Sequence, residues 1–474
     1  MLFNSFDFWV VFPFVFLLYW LIPSSALILR KWFLIVVSYL LYMNWKPAFA
    51  LVLFYVTSIT YIGGLVFRGR AIKKRVYLIT LFVILAIGPL MIYKYYNFLT
   101  EICNGILSYV HLQYEIRGLN WAIPMGISFF TFQSLGYMLD VYYGKIKAEK
   151  SFSNYLLFCS FFPQIVSGPI SKASELLPQI KKAHTFCYKQ GVSGLKILLW
   201  GMFLKCVMAD RLGMYVDMVF SNYEHFSSCN CIIASCFYSF QIYGDFAGYS
   251  LMALGVGKML GYNLVNNFKY PYLSDSITAF WRNWHISLTR WLTSYIYIPL
   301  GGNRCSKTKQ NFNIMLTFLV SGLWHGANWT FIFWGFLHGF YQIVEKVMGI
   351  DPKGKYANSR ILIRIKLLRI FIVFILVTFA WIFFRMPNLS EAMGFLSNIL
   401  FGKEAQPILY KLSNTAKLLS LITISIVVFE EYLSLYRPKI AKYLRNNYLV
   451  YIVLFVMLLS VGVLDSGQFI YANF

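Results

Sequence analysis

Two of the six histidines, His285 and His325, sit inside strongly apolar, tryptophan-rich stretches. The first stretch reads Trp281-Arg282-Asn283-Trp284-His285-Ile286-Ser287-Leu288, and the second Ser321-Gly322-Leu323-Trp324-His325-Gly326-Ala327-Asn328-Trp329. An ionisable side chain at membrane depth is costly and is a functional-site hypothesis by default. A hydroxyl is a weak nucleophile until a base takes its proton, and a neutral imidazole held away from bulk water suits that task. A blander reading exists for each residue. His285 would be a satisfied core residue of an interfacial helix whose tryptophans anchor at headgroup level, and His325 a hydrogen-bonding glue in a packing motif.

The spacing says what must hold these rings. On a helical wheel of about 100° per residue, His285 falls at the edge of a face shared by Trp281, Trp284, Leu288 and Trp291, with Arg282, Asn283 and Arg290 across from it. A continuous amphipathic helix lining a cavity or an interface is expected there. Gly322 and Gly326, four apart around His325, allow a second helix to approach closely. His338 is a weaker candidate, because a continuous helix would carry it to nearly the opposite face from His325. Asn283, Trp324 and Asn328, beside the two histidines, are candidate supporting residues. So is Asp245, in Gln241-Ile242-Tyr243-Gly244-Asp245-Phe246, which has three open roles: orienting a histidine, pairing with an arginine, or closing a structural polar network. No Gly-x-Ser-x-Gly elbow, Walker loop or His-Glu-x-x-His motif occurs, so ordinary serine hydrolases, P-loop ATPases and zincins fit poorly.

Composition sets the environment. Of 474 residues, 59% are apolar and only 13% charged, against about 25% charged in soluble domains. Mean hydropathy is +0.61. Repeated long apolar runs make this an all-α polytopic membrane protein, with about ten to twelve membrane helices expected, some short or re-entrant. The net charge of +24 gathers in short connections between apolar runs, the positive-inside pattern, and is not read as nucleic-acid binding. A basic cytoplasmic face can also attract anionic lipid or a phosphate-bearing donor.

Charge alternation along the first runs places the N-terminus outside, with the connections at Arg30 and at 68–75 in the cytoplasm. The opening lacks a basic n-region and carries Asp7, so its first apolar segment is expected to stay as a spanning helix. The run 312–344 is long enough for two short helices. Basic connections flank it on both sides, which favours a hairpin or paired half-helices over one straight span, with the break at Gly326-Ala327-Asn328 near the turn or depth limit. One transmembrane domain is expected over 1–474, with N-terminal helices in 1–100, a motif-rich core in 120–345 and a basic connection and further helices in 346–474. Of eight cysteines, Cys229, Cys231 and Cys236 cluster without a second ligand pair at zinc spacing, so no metal site is expected. A disulfide among them stays open if that connection faces an oxidising compartment.

These segments, with others, are similar to the membrane-bound O-acyltransferase family, within it the branch of the alginate O-acetylation membrane subunit. The resemblance spans most of the chain. It includes Pro-Met-Gly-Ile-Ser-Phe-Phe-Thr-Phe-Gln at 124–133, Pro-Gln-Ile-Val-Ser-Gly-Pro-Ile at 163–170 and Asp-Phe-Ala-Gly-Tyr-Ser at 245–250. It continues with Asn-Phe-Lys-Tyr-Pro-Tyr at 267–272, Tyr-Ile-Pro-Leu-Gly-Gly-Asn-Arg at 297–304, Ala-Trp-Ile-Phe-Phe-Arg at 380–385 and the Phe-Ile-Tyr ending at 469–471. Leu251 stands where this branch commonly has aspartate and Asn283 where arginine or lysine is usual, departures that bear on acceptor identity.

The resemblance implies an acyltransferase of the bacterial plasma membrane, His325 as the membrane-embedded active-site histidine and His285 as its partner. It implies O-acyl transfer, chiefly acetyl, from a cytoplasmic thioester such as acetyl-CoA, with no tightly bound cofactor. The recipient would be an exported polysaccharide or a secreted acetyltransferase partner. Arg282, Arg290, Arg304, Lys307 and Lys309 are candidates to hold donor phosphates. Competing classes are a transporter of acyl groups or lipid-linked sugars, D-alanyl transfer to teichoic acid, and a non-catalytic assembly subunit.

Overall fold

The computed structural model describes residues 3–68, 76–356, 359–402, 414–464 and 470, mostly helical, with turns and loops between helices and no strand. Residues 69–75 of the basic connection and residues 469 and 471 of the ending lie outside them. Among the described residues, five helices are long and apolar enough to cross a membrane: Pro47–Val66, Val76–Tyr109, Tyr188–Ser221, Lys366–Arg385 and Leu418–Tyr436. Counting the pair Pro438–Asn446 and Tyr448–Val461, bent by 68°, as one span gives six. The ten to twelve expected from apolar runs are not reached by this measure, because several runs form helices too short or too polar to span alone. The run at 122–139 is one: its helix starts at Ile127 and is buried in protein along nearly its whole length.

By contacts the chain forms two compact units. The first comprises Met1–Leu198, Ala253–Val265 and Tyr471–Phe474. Its helices include α1 (Phe6–Leu21), α2 (Leu27–Met43), α3 (Pro47–Val66), α4 (Val76–Tyr109, with a π turn at Met91–Tyr95) and α5 (Ile127–Tyr142). α1 starts at Ser5, whose hydroxyl accepts from the Phe8 amide, and α3 starts on Pro47, which has no amide hydrogen to lose. Arg30, expected as a solvated topology charge, lies inside α2 and is buried. Its guanidinium donates to the carbonyls of Ile22 and His184, which satisfies a charge that could not otherwise be desolvated.

The second unit, Leu199–Met252 and Asn266–Ile470, holds both histidine segments. Two long helices, α6 (Tyr188–Ser221) and α7 (Ser228–Met259), are divided between the units. The second unit continues with α8 (Ile277–Asn283), α9 (Ile286–Leu292), α10 (Lys307–His325), α11 (Trp329–Val347) and α12 (Lys366–Arg385). α10 and α11 form the hairpin expected from the charge pattern. Its tightness comes from glycine: a Cβ on Gly322 would lie 2.2 Å from the Phe331 carbonyl oxygen, and one on Gly335 would lie 2.4 Å from that of Phe318.

Among the described residues, Asp245 pairs with a lysine, neither with a histidine nor with an arginine. Lys205, in a π turn of α6, lies 2.5 Å from Asp245 and 2.6 Å from Asp210, and all three are buried. The second oxygen of Asp245 accepts from the Ile470 amide at 2.9 Å. The triad is a structural network that fastens α6 to α7.

Two stability outcomes follow. Gly322→Ala drives a methyl into backbone and should destabilise by about 1–3 kcal/mol, whereas Gly88→Ala, with open space around it, should be neutral or slightly stabilising. Melting of the detergent-solubilised variants checks this, and equal shifts would contradict the packing. Lys205→Met strands two buried carboxylates and should lose about 3–5 kcal/mol. Asp245→Asn leaves Lys205 its other partner and should lose clearly less in the same melt.

Candidate active site

The helix expected across Trp281 to Trp291 is interrupted. α8 ends at Asn283, α9 starts at Ile286, and His285 between them adopts a left-handed conformation with φ 42° and ψ 52°. The helical wheel therefore misplaces this ring: the turn re-aims it by backbone geometry. A non-glycine residue in this region is uncommon and strained by about 1 kcal/mol or more, so surrounding contacts must hold it. Asn267 does much of this. Its carbonyl accepts from the Ile286 amide at 2.9 Å and its side-chain oxygen from the Ser287 amide at 3.2 Å. Its own amide donates to Ser250 at 3.1 Å. The far end of α8 is held by Glu345 of α11, whose carboxylate accepts from the Ile277 and Thr278 amides at 2.8 and 2.9 Å.

His325 is the last residue of α10, and the chain leaves the helix through Gly326 in an extended conformation. The two imidazoles, forty positions apart in sequence, meet with ring centroids 6.4 Å apart. His285 is 0% and His325 1% exposed. Aromatic rings surround both: Phe246 and Trp324 lie 4.6 and 5.6 Å from His285, and Trp324, Trp334 and Phe384 lie 4.9, 5.0 and 5.2 Å from His325. Trp324 thus touches both histidines.

The other candidates are more distant in role. The Asn328 side chain caps α11 by accepting from the Thr330 amide and donates to the Pro387 carbonyl. The Asn283 amide donates to Ser274. Both hold loops beside the site. Asp245 faces its lysine, one residue from Phe246 at the His285 ring.

The same unit holds a cavity of about 920 Å³ that neither histidine lines; its wall residue Trp281 packs on Trp334, and Trp334 on His325. Trp281, Leu288 and Ser321 line it, so it reaches to within about one helical turn of each histidine in sequence. Its lining includes Arg282, Lys307, Lys346, Lys353 and Lys355, with Asp351 the one acidic residue there among the described residues. Arg290, Arg304 and Lys309 do not line it. Lys346, Lys353 and Lys355 were not singled out from sequence. They lie beyond the histidine motifs, where a lysine in a connection carries the same signal as any topology charge. Asn267 was visible only as part of a familiar stretch. Among the described residues, no group of three or more histidine, cysteine, aspartate or glutamate side chains could hold a metal.

Comparison with known proteins gives this geometry its context. The profile of the membrane-bound O-acyltransferase family matches residues 79–350. The chain is 36% identical over 367 residues to the probable alginate O-acetylase of Pseudomonas aeruginosa, covering 77% of this chain and 68% of that protein. It is 35% identical over 353 residues to the peptidoglycan O-acetyltransferase of Helicobacter pylori, covering 69% of this chain and 65% of the relative. It is 27% identical over 311 residues to the teichoic acid D-alanyltransferase of Bacillus subtilis, covering 63% and 76%. With a matching profile over more than half its length and a relative 36% identical across 77% of the chain, the protein is a membrane acyltransferase and belongs to the membrane-bound O-acyltransferase family.

Proposed function

We propose that the protein transfers an acyl group, chiefly acetyl, from a cytoplasmic thioester to a hydroxyl of an exported polysaccharide or to a secreted acyl-carrying partner, across a bacterial plasma membrane with the N-terminus outside. The observation that carries this reading is the meeting of His285 and His325 in a buried aromatic cluster, with a cation-lined cavity whose wall residue Trp281 reaches that cluster through Trp334. The two O-acetylating relatives act, by name, on alginate and peptidoglycan, both polymers that carry sugar hydroxyls, which supports that acceptor class.

In this reading His325 takes the proton of the acceptor hydroxyl as its oxygen attacks the thioester carbonyl. His285 orients the acceptor or polarises that carbonyl. The carbon–sulfur bond then breaks, and the thiolate leaves with the proton from His325, so the histidine returns neutral and nothing else is consumed. Walls of tryptophan and phenylalanine limit water, which would otherwise hydrolyse the thioester. Arg282 and Lys307, with Lys346, Lys353 and Lys355, supply the positive rim that a donor bearing phosphates requires.

Purified protein in lipid nanodiscs, given acetyl thioester and polymer acceptor without a partner, tests the reading. His325→Ala should abolish transfer, and His285→Ala should lower it by 10²-fold or more, about the size of a lost general base or carbonyl donor. Both variants should remain folded in the membrane fraction. Wild-type transfer by His325→Ala would contradict the base assignment. Transfer only when a secreted partner is added would favour hand-off over direct acetylation. Lys307→Glu with Lys353→Glu should raise the donor KM by about tenfold and leave kcat near its original value. An unchanged KM would remove the cavity from the donor's path.

A further inference from the structure

A third histidine, His338, is fully buried in α11 with 0% exposure. It stands among Trp281, Trp334 and Tyr341, with ring centroids at 4.9, 5.0 and 6.0 Å. The Trp281 indole N–H donates to its Nδ1 at 3.2 Å. A histidine that accepts at Nδ1 is neutral and carries its proton on Nε2. Among the described residues, that Nε2 has no hydrogen-bond partner. An unpaired buried donor is unfavourable by about 1–3 kcal/mol, so an aliphatic side chain would suit this pocket better if packing were the only task.

The other end of the hydrogen bond points to that task. Trp281 lines the cavity, whereas His338 does not. The Trp281 ring also packs edge-on to Trp334 at 5.6 Å, and Trp334 edge-on to His325 at 5.0 Å. Trp281 is therefore the panel between the cavity and the aromatic wall of the histidine chamber, and a free indole has several rotamers. We propose that His338 is a positioning residue: by accepting from Trp281 it locks the indole as the inner wall of the donor cavity, setting how deep the thioester end of the donor reaches. It touches no reacting atom. The proposal rests on the cavity receiving the donor, and its signature lies in donor binding, with the chemical step left intact.

The test uses the full-length protein in nanodiscs, measuring acetyl transfer and the Kd of a non-hydrolysable acetyl-CoA analogue. His338→Leu removes the acceptor and should raise donor KM and analogue Kd by about tenfold, the size of one hydrogen-bonded contact, with kcat and melting temperature near those of the parent. His338→Asn, whose side-chain oxygen can take the place of Nδ1, should restore most of the loss. Trp281→Phe keeps an aromatic ring at the wall but removes the indole N–H, along with the rest of the bicyclic ring's extra area. It should raise KM comparably, and adding His338→Leu to it should change little further. This arm stands if His338→Leu fails to fold. Parental KM and Kd in His338→Leu or Trp281→Phe, absence of rescue by His338→Asn, or multiplying effects in the double variant would each overturn the positioning role. An active His325→Ala variant would instead overturn the base assignment, leaving the donor-binding result interpretable alone.

Discussion

The site depends on a single turn of backbone. His285 stands in the left-handed region between two seven-residue helices, and no glycine or proline in the flanking residues relieves the strain. Hydrogen bonds donated by the first amides of the following helix to Asn267 hold the turn, and Glu345 fastens the preceding helix by its opposite end. Were this segment a straight helix, the imidazole would follow its neighbours around the helix axis. The break sets it instead against the last residue of another helix, so the histidine pair is a product of tertiary structure.

The partner ring depends on a different constraint, close packing without side chains. Gly322 and Gly335 let the two arms of the α10–α11 hairpin approach at backbone distance, and His325 rides at the tip of the first arm. The same hairpin supplies Ser321 and Lys346 to the cavity and His338 to the wall behind Trp281. Two buried polar networks elsewhere in this unit help keep the frame rigid: the Lys205 triad, and the Tyr243 hydroxyl donating to the buried carboxyl of Glu431. Leaving any one of them single would be strongly unfavourable in such a dry setting.

Much of this was legible in the sequence, and the reasons for the rest are physical. Low charge and long apolar runs identify a helical membrane protein. The hairpin is readable because two basic connections flank one long apolar run around a Gly-Ala-Asn break. The two histidines stand out because imidazoles are unusual in such surroundings, but no periodicity could reveal that they meet, since the meeting is set by contacts between distant segments. Periodicity misled at 281–291 because the helix breaker there is Asn267, a long-range partner, and not a local turn residue. Arg30 resembled a topology charge because its carbonyl partners, Ile22 and His184, are invisible to a local reading. The count of membrane helices is not fixed by the apolar runs for the same reason: an apolar run looks alike whether it meets lipid or, as at 127–142, is buried in protein.

The most direct test of the account is a structure of the full-length protein with a non-hydrolysable acetyl-thioester analogue bound. The account predicts the acyl carbonyl within about 2.6–3.2 Å of an imidazole nitrogen, or one water away, with the phosphates of the analogue among the lysines of the cavity rim. An analogue seated elsewhere, or one whose carbonyl stops in the cavity far from both His285 and His325, would contradict it.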